Sequence, residues 1–125
     1  MAYDVHIVRT KDWLNASDAP ITKADVDALV AGDPELTWST SDYVDMSDDA
    51  GLVTRYYMIS WNGASCFWWY RHEILCSGPD ESQLAKLVRM AATIKAYVVG
   101  DDGETYELRK DALGKEELVT LPAGA

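Results

Sequence analysis

Two runs rich in β-branched and aromatic residues dominate the hydrophobic pattern of this chain. Residues 52–61 read LVTRYYMISW, residues 64–70 read ASCFWWY, and Asn62-Gly63 lies between them. Strand-forming runs joined by Asn-Gly predict a β-hairpin with a two-residue type I′ turn, because that turn needs φ > 0 at both central residues. The turn sets a register. Trp61, Ile59, Tyr57 and Arg55 fall opposite Ala64, Cys66, Trp68 and Tyr70 on one face, and Tyr56, Met58 and Ser60 fall opposite Trp69, Phe67 and Ser65 on the other. Both faces are apolar, whereas an antiparallel sheet with one solvated face alternates apolar and polar residues. The hydroxyl and charged neighbours Thr54, Ser60, Ser65 and Arg71 turn the second face outward. Val53, Tyr57, Ile59, Trp61, Cys66, Trp68 and Tyr70 are thereby assigned to the core, and Tyr56, Met58, Phe67 and Trp69 to an exposed aromatic patch. Such a patch marks a partner site; a C-terminal segment or a second subunit covering the face fits the same pattern.

The rest of the chain supplies the frame. Residues 3–8 alternate Tyr3, Val5, Ile7 against Asp4, His6, Val8, the period of a strand. Residues 9–19 form a polar connection in which Trp13 and Leu14 tuck against the domain edge. Thr22 and Asp25 have the spacing of a capping box, with Ile21 and Val26 as a hydrophobic staple. Val26, Leu29 and Val30 give a short apolar stripe, which Gly32 and Pro34 end. Residues 36–46 read as a second strand and residues 47–51 as a turn. Residues 71–73 form a second tight connection and 74–77 a short strand. Pro79, Asp80 and Glu81 then open a helix whose apolar positions Leu84, Leu87, Val88, Ala91 and Ile94 carry it to about Lys95. Residues 96–108 read as a hairpin around Gly100-Asp-Asp-Gly103. A short helix at 114–120 and a frayed end complete the chain. The predicted fold is α+β: one domain over residues 1–125, with an antiparallel sheet of about five or six strands and two main helices packed on one face.

Composition narrows the function. A chain of 125 residues, 48% hydrophobic, is long enough to bury a core without staples. Five Trp and seven Tyr stand against a single Phe; these aromatics suit sites where one end of a ring is buried and the other meets water or a partner. A net charge of −10 opposes nucleic acid and anionic membranes, favours a basic partner, and by itself also serves solubility. Residues 1–20 lack the apolar core of a signal peptide and no run approaches a membrane span, so a cytoplasmic location is expected. Two cysteines without zinc-ribbon or redox spacing read as small core residues.

Candidate chemistry is sparse. The two histidines lie far apart and read as structural. Cys66 falls on the predicted core face, and Cys76 with His72 lacks a third group to orient the pair. The Gly100–Gly103 stretch with Glu104 fails the alternate-ligand spacing of a calcium loop and suits a surface turn better. No phosphate loop, nucleotide fingerprint or zincin motif is present, so no catalytic residue, cofactor or metal is expected.

Some of these residues also resemble a family. The opening Tyr3-Asp-Val-His-Ile-Val-Arg-Thr-Lys-Asp-Trp13 is similar to the start of small acidic bacterial proteins encoded beside polymorphic or secretion-system toxins. So is the latter half: the aromatic strand ending at Tyr70, Ile74 before Pro79-Asp80-Glu81, Leu84, Lys86-Leu87, Ala91, Ala96, and Gly100-Asp-Asp-Gly-Glu104 with Tyr106. Residues 34–55 and those after Leu108 depart from that pattern. The resemblance implies an immunity protein, which binds a cognate toxin or effector and blocks it. An inhibitor of that kind uses rigid aromatic anchors and acidic steering residues. The expected contact surface is Tyr56, Met58, Phe67 and Trp69 with Asp42, Asp45, Asp48 and Asp49. Two other classes compete: a small enzyme that reverses a toxin's modification, and a homodimer that uses the aromatic face on itself.

Overall fold

The structure is a computed structural model that describes residues 3–123; the expected frayed end falls partly on residues 124–125, outside the described residues. Eight strands form one antiparallel sheet: β1 (Asp4–Val8), β2 (Leu36–Ser47), β3 (Val53–Trp61), β4 (Ala64–Tyr70), β5 (Glu73–Ser77), β6 (Tyr97–Gly100), β7 (Thr105–Lys110) and β8 (Glu116–Leu121). Their order across the sheet is β2-β3-β4-β5-β1-β6-β7-β8. The class is α+β as predicted, and the sheet is larger than the five or six strands expected. Where a short helix was predicted at 114–120, β8 instead pairs with β7 from Thr105↔Leu121 to Lys110↔Glu116. The loose leucine spacing there belongs to a half-buried edge strand.

Helices α1 (Lys23–Gly32) and α2 (Glu81–Thr93) start as their sequences dictate. Thr22 and Asp25 cap each other's backbone N–H groups at α1, and Asp80 and Gln83 do so at α2. Each reciprocal pair satisfies two of the donors that a helix start leaves open. Pro79 precedes the α2 cap, and the helix stops at Thr93.

Both helices pack into a single core. Val26 and Leu29 of α1 and Leu87, Met90 and Ala91 of α2 join Val5, Ile7, Ile59, Phe67, Ile74, Cys76 and Val98 of the sheet. Neighbouring strands align these side chains through the pairs Val5↔Cys76, Ile7↔Ile74 and Ile7↔Val98. The opposite face carries its own cluster, in which the 3₁₀ segment Trp13–Asp18 lays Ala16 and Trp13 on Val8 and Val99. Leu14, expected to tuck in beside Trp13, stays exposed.

The central hairpin has the predicted turn and only half of the predicted register. Asn62 and Gly63 adopt φ of 50° and 87°, and Trp61↔Ala64 and Ser60↔Ser65 pair as expected. The register then slips, so that Ile59 faces Phe67 and Met58 faces Trp68, with Cys66 left as the extra residue of a bulge. One inserted residue sends every later side chain of the strand to the other face. Phe67, expected outside, is fully buried, and Trp69 packs against the same core. Trp68, expected inside, lies on the opposite face beside Leu75. Val53 and Tyr57, also expected inside, are exposed, because β3 pairs with β4 only as far as Met58↔Trp68. Beyond that point the β2–β3 hairpin continues alone as an arm.

Candidate functional site

The arm is built by a second irregularity. On β2 the register jumps between Trp38 and Tyr43, whose partners Ile59 and Tyr57 are only two residues apart on β3. The surplus β2 residues are held by Ser39, whose Oγ accepts the backbone N–H groups of Ser41 (3.3 Å) and Asp42 (2.8 Å). Bulges bend the strand that carries them and re-aim its side chains. Here the result is a cavity of about 630 Å³ at the base of the arm, lined on its aromatic side by Trp38, Tyr56, Tyr57 and Trp69. Ser39, Thr40 and Thr54 supply hydroxyls, and Lys23 and Arg55 supply the two cations.

Each aromatic wall is fixed by a contact outside the cavity. The Trp38 indole N–H donates to Asp27 (2.9 Å), and the Trp69 indole N–H donates to the Ile21 carbonyl (2.9 Å). Tyr56 meets Trp69 and Tyr70 edge to face, with centroids 5.4 and 5.2 Å apart, while Tyr57 meets Tyr43 at 5.8 Å. Arg55 lies 3.7 Å over the Tyr43 ring and donates from Nε (2.8 Å) and Nη2 (3.1 Å) to the Asp45 carboxylate. That hydrogen-bonded pairing holds the Asp45 carboxyl below its ordinary range. Lys23 pairs with Asp27 one helical turn on, and its ammonium sits 5.3 Å from the Trp38 ring.

The predicted contact residues therefore part company. Tyr56 and Trp69 share the cavity, and Asp45 reaches its rim through Arg55. Asp42 is exposed beside Ser39. Asp48 and Asp49 sit at the far turn, where Asp48 accepts the N–H groups of Ala50 and Leu52 (2.9 Å each). Met58 lines a separate, smaller groove with Trp68 and Leu75 on the opposite face. Phe67 is core and takes no part in any exposed patch. Trp38, Tyr57, Lys23 and Arg55 were not anticipated. The signal for Trp38 was its place in a strand-like run next to surplus polar residues, the mark of a bulge.

Away from the arm, two buried ionisable side chains among the described residues, His6 and Lys86, each gather carboxylates. His6, 4% exposed, bridges Glu73 through Nδ1 (2.5 Å) and Asp101 through Nε2 (2.8 Å), and its ring stacks on Trp13 at 4.4 Å. Burial alone lowers the pKa of such an imidazole; the hydrogen bonds that the ring donates to both carboxylates outweigh it, and the net shift is upward. With a carboxylate at each nitrogen the ring is an ion-pair bridge, and it has no free lone pair to act as a base. Lys86, also buried, donates to Asp33 and Glu35 at 2.7 Å each and so ties α2 to the start of β2.

Neither thiol is disposed to react. Burial raises the Cys66 thiol and pushes Cys76 up to about 12. Among the described residues no group of three or more His, Cys, Asp and Glu is placed to hold a metal ion, and no helix is long and apolar enough to cross a membrane. Compared with protein-family models, curated proteins and solved structures, the chain gives no match.

Proposed function

We propose that this chain is a bacterial cytoplasmic immunity protein that neutralises a cognate toxin or effector by direct contact, with the β2–β3 arm as its contact surface. The observation that carries the reading is the arm itself: an aromatic cavity at its base and exposed carboxylates along its length. Aromatic side chains held rigid by their own hydrogen bonds are the anchors that dominate interface energies. Asp42, Asp48 and Asp49 lie beyond the cavity and would speed encounter with a basic surface. The likeness of residues 3–13 and of the latter half to toxin-linked immunity proteins points the same way.

Stoichiometry tests the reading. The chain is titrated against a purified candidate toxin, and the residual toxicity or activity is measured. A contact inhibitor protects in proportion, one copy per toxin; protection at a small fraction of that ratio overturns the reading in favour of an enzyme. A chain that elutes as a dimer with the arm buried overturns it in favour of self-association. Replacing Tyr56 and Tyr57 together by Ala weakens binding by roughly 2 kcal/mol or more while the fold is kept.

A further inference from the structure

The charges at the cavity run against the charge of the whole chain. The protein is strongly acidic, yet the two charged side chains that line the cavity are Lys23 and Arg55, and both are exposed. Their partners Asp27 and Asp45 do not line the cavity, so an anionic guest meets two cations on its wall and a cationic guest meets no carboxylate there. The two cations also keep donors in reserve. Asp45 takes Nε and Nη2 of Arg55 out of the five N–H donors of a guanidinium, and Lys23 is engaged by one carboxylate in an exposed pair. The rings of Trp38, Tyr56, Tyr57 and Trp69 line the same cavity, and its volume falls in the range of pockets that take small-molecule-sized groups, room enough for an aromatic side chain and its neighbour.

We infer that the cavity takes an aromatic side chain of the partner that adjoins a carboxylate, with the ring among the four aromatic walls and the negative charge on Lys23 and Arg55. This rests on the contact-inhibitor reading and sharpens it. The partner surface is then two-part: an aromatic residue beside an acidic one for the base of the arm, and basic residues for Asp48 and Asp49 at the tip. Specificity follows from that arrangement, because a uniformly basic surface satisfies the tip and is repelled by the base.

Two probes with one ring and opposite charges test it: indole-3-propionate and tryptamine, titrated into the ¹⁵N-labelled full chain. The indole N–H signals of Trp38 and Trp69 report the cavity, and that of Trp68 reports the opposite face. Indole-3-propionate is expected to shift Trp38 and Trp69 saturably and to bind about tenfold or more tighter than tryptamine. The double variant Lys23→Gln, Arg55→Gln abolishes the difference, and Tyr56→Ala weakens both probes; an unmoved Trp68 signal shows that the fold is kept. Equal or tighter binding of tryptamine, shifts confined to Trp68, or no saturable shift overturns the inference. The contact reading fails separately, in the equimolar protection measured on the unmodified chain. If protection survives intact in the Lys23→Gln, Arg55→Gln variant, the inhibitor stands and the aromatic-carboxylate guest falls.

Discussion

His6 shows how much one buried residue can hold together. It joins β1 to Glu73, 67 residues away, and to Asp101, 95 residues away, with Trp13 over its face. Because its proton is held above the ordinary value of 6.5, the native state binds more protons than the unfolded chain just above that pH. The stabilisation is complete below about 6.5 and is lost as pH rises through the raised value. Melting temperature followed from pH 6 to 9 is expected to fall across that window, and the fall is absent in His6→Gln. Asp25 has the opposite sign: hydrogen bonding to Arg9, then to Thr22, lowers it to about 2, so its contribution disappears as pH drops from 3.8 toward 2. At Phe67 the readout is burial. Phe67→Ala is expected to cost about 3–5 kcal/mol in urea denaturation, whereas exposed Tyr57→Ala costs less than about 1 kcal/mol. Had Phe67 been the exposed anchor that alternation suggested, the two values would be reversed. The cap at Thr22 was legible because its partner lies three residues away, whereas Asp80, read as an acid of the first turn, is itself the cap; the partners of His6 and Lys86 were not legible, because only folding brings them near.

Among the elements, two register slips decide the surface. The type I′ turn at Asn62-Gly63 is a local choice, set by residues that tolerate positive φ, and it fixes the first two pairs of the hairpin. The bulge at Cys66 has no glycine to announce it. It is explained by what it achieves: it turns Phe67 and Trp69 toward the helices, and lets the Trp69 N–H reach the Ile21 carbonyl ahead of α1. Deleting Cys66 would remove the extra residue and let Phe67 follow Ser65 directly, so that Phe67 stays opposite Ile59 and Trp69 keeps the core face without a bulge. The expected outcome is a cooperative transition by circular dichroism that is retained in the deletion variant; loss of that transition would show that the bulge itself, and not the burial of Phe67 and Trp69, is what the fold requires. The β2 jump acts the same way on the arm, since without the surplus between Trp38 and Tyr43 the strand would run straight and leave no cavity.

At the level of the whole molecule, charge and shape are set separately. The net charge of −10 creates a long-range negative field, which favours encounter with basic surfaces. Raising ionic strength from about 0.01 to 0.15 M shortens screening from ~30 to ~8 Å. Association with the toxin proposed above, followed by stopped-flow, is then expected to slow at least about tenfold, with dissociation changed far less. A rate indifferent to salt would remove the acidic arm from any steering role. The α+β class, both main helices and the central turn followed from the sequence alone, because each is dictated by groups within a few residues of one another along the chain; the last strand did not, because its loose leucine spacing is settled only by pairing with β7. Which rings are buried, how many strands the sheet holds, and that a basic-rimmed cavity opens in an acidic protein were decided only in the tertiary structure. A one-residue slip costs little locally, and the packing of distant side chains selects it.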